Sequence, residues 1–212
     1  MGNKVTTPRK KGRNIWAIDP GNVVCGVAQL TDRRIGHCFN EESVSVYEKI
    51  MSLCGNNHIE IVIEDVYPFS MRLTPEIIAT CKVIGELTYR FSTNPQVISV
   101  TLLARNSVKR WIFDTFPDVV TERIEKRMAS LHARKIKQGK RGLVKKTGEM
   151  YSPSFHYVDD RTVIAAMKFL FDIPTPKPGK RNIYGLVDHS WQALACGAYH
   201  YHNHQKSNNI SS

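Results

Sequence analysis

Residues Ile59-Glu60-Ile61-Val62-Ile63-Glu64-Asp65-Val66 constrain the fold of this chain more than any other stretch. An unbroken run of β-branched residues marks a buried strand, because such side chains pack well on a pleated surface and lose rotamer freedom in a helix. This one ends in carboxylates. Asn14-Ile15-Trp16-Ala17-Ile18-Asp19 repeats the pattern, closing on an acid just before Pro20-Gly21 breaks the strand. A carboxylate at the end of a buried strand is costly to ionise unless positive charge lies beside it. Either a compensating charge gathers at these ends, or the acids act locally, Asp19 opening its turn and Glu64 pairing with a base.

The remaining elements fall around these two strands. Residues 23–30 read as a second strand and 34–39 as a third, an antiparallel meander. Behind Ser43, a residue able to cap, residues 43–54 show apolar positions at near-helical spacing. Thr74-Pro75-Glu76 opens a helix to about Phe91 whose apolar stripe is broader than one sheet face needs. Part of that stripe is expected to face a second subunit. Residues 96–102 form a further strand, 106–116 a short helix, and 160–171 a helix with Asp159 in its cap. Asp188 and His189 start a final helix, where Ala193, Ala195, Gly197 and Ala198 suit close packing on a sheet. Strands separated by helices after a meander predict an α/β domain, a mixed central β-sheet flanked by α-helices.

Charge narrows the partner. The 212 residues carry 30 Lys and Arg against 19 Asp and Glu, a formal net charge of +11, which points to a polyanion. Much of the excess lies in a basic insertion at about 118–150, including Arg134, Lys135, Lys137, Lys140, Arg141, Lys145 and Lys146. Gly139, Gly142 and Gly148 loosen its second half, so a flexible segment that grips phosphates is expected, in preference to a merely solvated face. Residues 1–13 read as a basic arm, 14–204 as the folded domain and 205–212 as a disordered tail. His200, His202 and His204 alternate near the chain end and read as surface residues. The five cysteines are scattered without a Cys-x-x-Cys and read as reduced core thiols, not a disulfide frame or a zinc knuckle. With no apolar run near 18 residues and no signal-peptide core, a soluble, intracellular protein of the cytoplasm or a DNA-containing compartment is expected, not a secreted one.

Acids stand at the ends of three elements: Asp19, Glu64 with Asp65, and Asp188 with His189. In an open sheet, strand ends on one edge face a common crevice, so acids far apart in sequence converge. Clustered carboxylates repel one another unless cations neutralise them, and hard oxygen ligands favour Mg²⁺ or Mn²⁺ over zinc. Two such ions about 3.5–4 Å apart activate a water and stabilise the leaving oxygen in phosphodiester hydrolysis. In a basic chain this chemistry means a nuclease.

The same residues resemble a known family. Ile18-Asp19-Pro20-Gly21 is similar to the first motif of RuvC-like Holliday junction resolvases, of the RNase H-like (retroviral integrase) superfamily. Residues 61–67 resemble the second motif, and residues 191–200 the final helix; Asn106-Ser107-Val108-Lys109-Arg110 and the helix from Asp160 fit in order, over about 14–204. The resemblance implies an RNase H-like fold and a Mg²⁺-dependent endodeoxyribonuclease, with Mn²⁺ as substitute and two ions per site. It also implies a homodimer that cuts two symmetric strands of a four-way DNA junction. Asp19 and Glu64 would be metal ligands, Tyr67 or Phe69 would stack at the junction centre, and Lys109, Arg110 and the basic insertion would hold DNA.

The last motif departs from the family. Gln192 occupies the position of its final aspartate, and His189 that of an acid or histidine three residues earlier. Asp188 precedes Gln192 by four residues, so on a helix it would supply the carboxylate one turn early, with His189 beside it as a ligand or water-orienting group. Two other readings stay open: an RNase H-like nuclease acting on RNA–DNA hybrid or other branched DNA, and a catalytically inactive nucleic-acid-binding protein.

Overall fold

The computed structural model describes residues 12–66, 73–139, 142, 152–174 and 184–210. Strands β1 (Asn14–Asp19), β2 (Val24–Thr31) and β3 (Arg34–Glu42) form the antiparallel meander, and β4 (Ile59–Asp65) and β5 (Val97–Ala104) join it in parallel. The order is β3-β2-β1-β4-β5, a mixed five-stranded sheet flanked by helices, as the sequence predicts. The two strands that end in acids lie side by side at its centre.

Side chains alternate across the sheet, and the alternation sorts two cores. Trp16, Ile18, Ile61 and Ile63 face α1 (Val46–Cys54) and α2 (Pro75–Ser92), packing against Ile50, Leu87 and Phe91. Ile15, Ala17 and Val62 face the other layer, built from α3 (Arg105–Thr115), α4 (Pro117–Lys137), α5 (Asp160–Leu170) and α6 (His189–Ile210). The small residues of α6 let it approach closely. A Cβ at Gly26 of β2 would collide with the backbone of His189, and one at Gly197 would crowd Ala17 and Leu30. Gly26 therefore sets how near the start of α6 comes to the sheet.

Several local expectations change. Ser43 does not cap α1; its hydroxyl donates to the Gly21 carbonyl at 2.8 Å and ties down the turn after β1. Thr74 does cap α2, accepting from the Ile77 N–H at 3.4 Å. The first part of the expected flexible insertion, from about 118, lies in the ordered helix α4 (Pro117–Lys137), because Val120, Ile124 and Met128 recur every four residues and are buried in the core. Of the residues beyond it that the sequence singled out, Lys140, Arg141, Lys145 and Lys146 lie outside the described residues, as do Tyr67 and Phe69. The last helix continues to Ile210, through residues expected to be a disordered tail. Cys25, Cys54 and Cys196 are buried free thiols of the core, but Cys38 is half-buried and Cys81 exposed, so the expectation of core thiols does not hold for all five. No described helix is long and apolar enough to cross a membrane.

His200 is not a surface residue but is buried at 3% exposure. Its Nε2 lies 3.2 Å from Glu60 Oε2, and Glu60 also accepts from Arg13, through Nε at 2.6 Å and through Nη2. Burial alone would raise the Glu60 carboxyl, but Arg13 and His200 hold it down at about 2. Stability from this cluster is present above the ordinary glutamate range and lost as pH falls from about 4.5 toward 2. Glu60→Ala, which strands a guanidinium and an imidazole, is expected to cost about 1–3 kcal/mol, read as the shift in a urea unfolding midpoint at pH 7.

Candidate metal and active site

The parallel register Ile18↔Ile63 places Asp19 and Glu64 next to each other at the carboxyl ends of β1 and β4. By the same alternation both point to the α6 side, and Asp65 to the other. Asp19 is 7% exposed and Glu64 3% exposed. Two carboxylates in such surroundings cannot both be charged without help. Burial first, and then the neighbouring Asp19, push the Glu64 carboxyl up to about 8.

Help comes from two cationic side chains. His189 Nδ1 lies 2.9 Å from Asp19 Oδ2, and that bond raises the imidazole above its usual range. Arg105, the first residue after β5, sets Nε 3.4 Å from Glu64 Oε1. Its Nη2 lies 3.4 Å from Asp160 Oδ1, which also accepts from Gln192 Nε2 at 3.0 Å. Asp19, Arg105, Asp160, Asp188, His189 and Gln192 line one cavity of about 640 Å³. Glu64 is joined to it through Arg105.

Among the described residues, no three His, Cys, Asp or Glu side chains form a ready metal cage. The donor set nevertheless fits a small hard cation. Mg²⁺ commonly binds through one or two carboxylates plus waters and substrate phosphates, not an all-protein cage. Moreover Glu64 Oε2 is buried with no donor from any other residue, so the Asp19–Glu64 pair holds together only by sharing a proton, a place that a bound cation would take instead.

Of the sequence candidates, Asp19, Glu64 and His189 come together as one site. Asp188 lines the same cavity, but from just before α6 in the left-handed region, φ 35°, so the helical phase that would align it with Gln192 does not apply. Lys109 lies one turn beyond Arg105 on α3; burial and then Arg105 lower its ammonium, and it feels both Glu64 and Asp160. Arg110 lies over the Phe155 ring at 4.6 Å, while Arg134, Lys135 and Lys137 occupy the last turn of α4.

Arg105 and Asp160 were not singled out for the site from sequence. A signal existed for each. Arg105 follows a strand parallel to β4 and so emerges on the same edge as the acids. At Asp159-Asp160 one carboxylate suffices to cap α5: Asp159 takes that role, accepting from Thr162 N at 2.9 Å, with Arg127 Nη1 at 2.5 Å from its other oxygen.

The site has a pH signature. Folded Glu64 keeps its proton to about 8, whereas an unfolded glutamate loses it near 4.5, so between these values the folded state binds more protons and stability falls as pH rises. The raised His189 acts in the same direction, its contribution being lost as pH rises through its folded value. The melting temperature of EDTA-treated protein is therefore expected to decline from pH 5 to 8, and Mg²⁺ is expected to reduce that decline by displacing the protons. Scanning calorimetry with and without the ion checks this.

No family model matches the chain, and no curated protein matches it. Among solved structures, it is similar to the Thermus thermophilus RuvC structure, with TM-score 0.48 and 10% identity over 92% of this chain and 96% of that one. It is also similar to T. thermophilus RuvC in complex with a Holliday junction substrate, with TM-score 0.49 and 9% identity over the same shares.

Proposed function

We propose that this protein is a Mg²⁺-dependent endonuclease that resolves four-way DNA junctions by paired phosphodiester hydrolysis. The observation that carries the reading is the buried Asp19–Glu64 pair, two carboxylates on one face at adjacent strand ends, with Glu64 Oε2 reached by no donor outside the pair. Asp19 and Glu64 would hold the metal, with His189 at the same edge. The bound metal would supply an activated water and stabilise the charge that develops on the scissile phosphate.

The chain's own groups do the rest. His189 Nδ1 lies 2.9 Å from Asp19 Oδ2 and would orient that carboxylate for a bound cation. Arg105, which lines the cavity 3.4 Å from Glu64, would offer positive charge to a phosphate there, with Lys109 one turn further along α3. A net charge of +11 and the basic last turn of α4 give the polyanion its first attraction.

Junction specificity rests on the motif resemblance and on a surface suited to a homodimer. Ile78, Cys81, Gly85 and Tyr89 follow one another along the outer face of α2, Ile78 46% and Tyr89 71% exposed. An apolar stripe of that length, with a glycine at its middle that admits a second helix, suits a two-fold contact. Tyr89→Asp is expected to shift the protein toward monomer in sedimentation velocity and to turn paired cuts into single nicks.

A substrate panel tests the assignment. Four-way junction, duplex, single-stranded DNA and RNA–DNA hybrid are offered with Mg²⁺, and preferential cutting of the junction is expected. Preferential hybrid cleavage would move the protein to another RNase H-like activity. Salt-sensitive binding without cleavage would leave it a nucleic-acid-binding protein.

A further inference from the structure

We infer that Asp160 supplies the third carboxylate of the metal site, oriented by Gln192, an inference that rests on the metal-dependent reading above. Gln192 is buried at 9% exposure and lines the cavity, but an amide brings no negative charge to a cation. Its Nε2 instead donates to Asp160 Oδ1 at 3.0 Å. The amide fixes a carboxylate that arrives from another helix. Gln192 is thus a positioning residue, and Asp160 the ligand.

Three further observations support the assignment. Asp159, not Asp160, caps α5, so the Asp160 carboxylate is not committed to the helix terminus. Arg105 touches Glu64 and Asp160 at 3.4 Å each, so one guanidinium already bridges the acid of β4 and the acid of α5. Positive charge is favoured between them. Independently, Arg105 reaches Glu64 only at Oε1, and the buried Oε2 receives no donor from any other residue. The Asp160 side chain is 73% exposed and so is accessible to a cation from solvent. Asp188 stands before α6 at φ 35° and lines the same cavity.

The test measures Mn²⁺ binding to the full chain by titration calorimetry, with no DNA present. Asp160→Asn is expected to weaken Mn²⁺ about tenfold or more, and by more than Asp188→Asn. Gln192→Ala is expected to weaken it by a smaller factor. The double variant Asp160→Asn/Gln192→Asp is expected to recover most of the loss, because a carboxylate returns at the neighbouring position. Because the Asp160 side chain is largely exposed, an unchanged circular dichroism melt should accompany its loss of affinity. The inference is overturned if Asp160→Asn binds Mn²⁺ like the parent while Asp19→Asn does not, a result that leaves the nuclease reading standing. Failure of the parent protein to bind Mn²⁺ at all would overturn both.

Discussion

Asp19→Asn is expected to lower metal-dependent cleavage by about 10³-fold or more while leaving the fold intact. The substitution removes one of the two buried carboxylates that would hold the metal and weakens the anchor of His189, 2.9 Å away. Because Asp19 is also one reason that Glu64 holds its proton so tightly, the metal-free variant should melt no lower than the parent. Single-turnover cleavage and a thermal melt on the same sample check both halves.

Glu64→Gln is expected to separate activity from stability even more sharply. Cleavage should again fall by about 10³-fold or more, since the amide cannot ligate as an anion. The metal-free variant should be more stable than the parent above pH 8, by at least about 1 kcal/mol, because no buried carboxyl remains to be ionised. The decline of melting temperature between pH 5 and 8 should flatten, and Mg²⁺ should no longer raise it. Loss of function with gain of stability is the mark of a site held at a cost to the fold. A structural ion pair would show the reverse.

The strands that matter were legible because two different physical signals coincide in them. β-branched runs specify burial, and a carboxylate at the end of such a run calls for a compensating charge or a local partner. That β1 and β4 are parallel neighbours in register Ile18↔Ile63 was not written in either segment, since pairing depends on the whole sheet. Within α4 the basic residues masked an apolar stripe of Val120, Ile124 and Met128, and a reading centred on charge missed the start at Pro117. His200 was misplaced because alternation near the chain end says nothing of what lies across the sheet. Only the fold brings Glu60 and Arg13 to it. Arg105 and Asp160 were hidden by ordinary duties, a helix start and a capping neighbourhood, and their role emerges from a contact between elements distant in sequence.

The departure at Gln192 also looks different in three dimensions. In sequence, an amide where a carboxylate is expected weakens the site. In the structure, the amide reaches Asp160, so acids from β1 and α5 line the cavity, and Glu64 of β4 is joined to it through Arg105. The change relocates a charge that the sequence pattern alone would count as lost.

The central claim is that buried acids of a mixed sheet hydrolyse phosphodiesters at a DNA branch point. Nick mapping on an immobile four-way junction, labelled on each strand in turn, tests it most directly. With Mg²⁺ the protein should cut two opposing strands at symmetric positions, EDTA should stop it, and Asp19→Asn should leave the junction whole. A junction uncut in Mg²⁺ and in Mn²⁺, or cut equally by Asp19→Asn, would contradict the account.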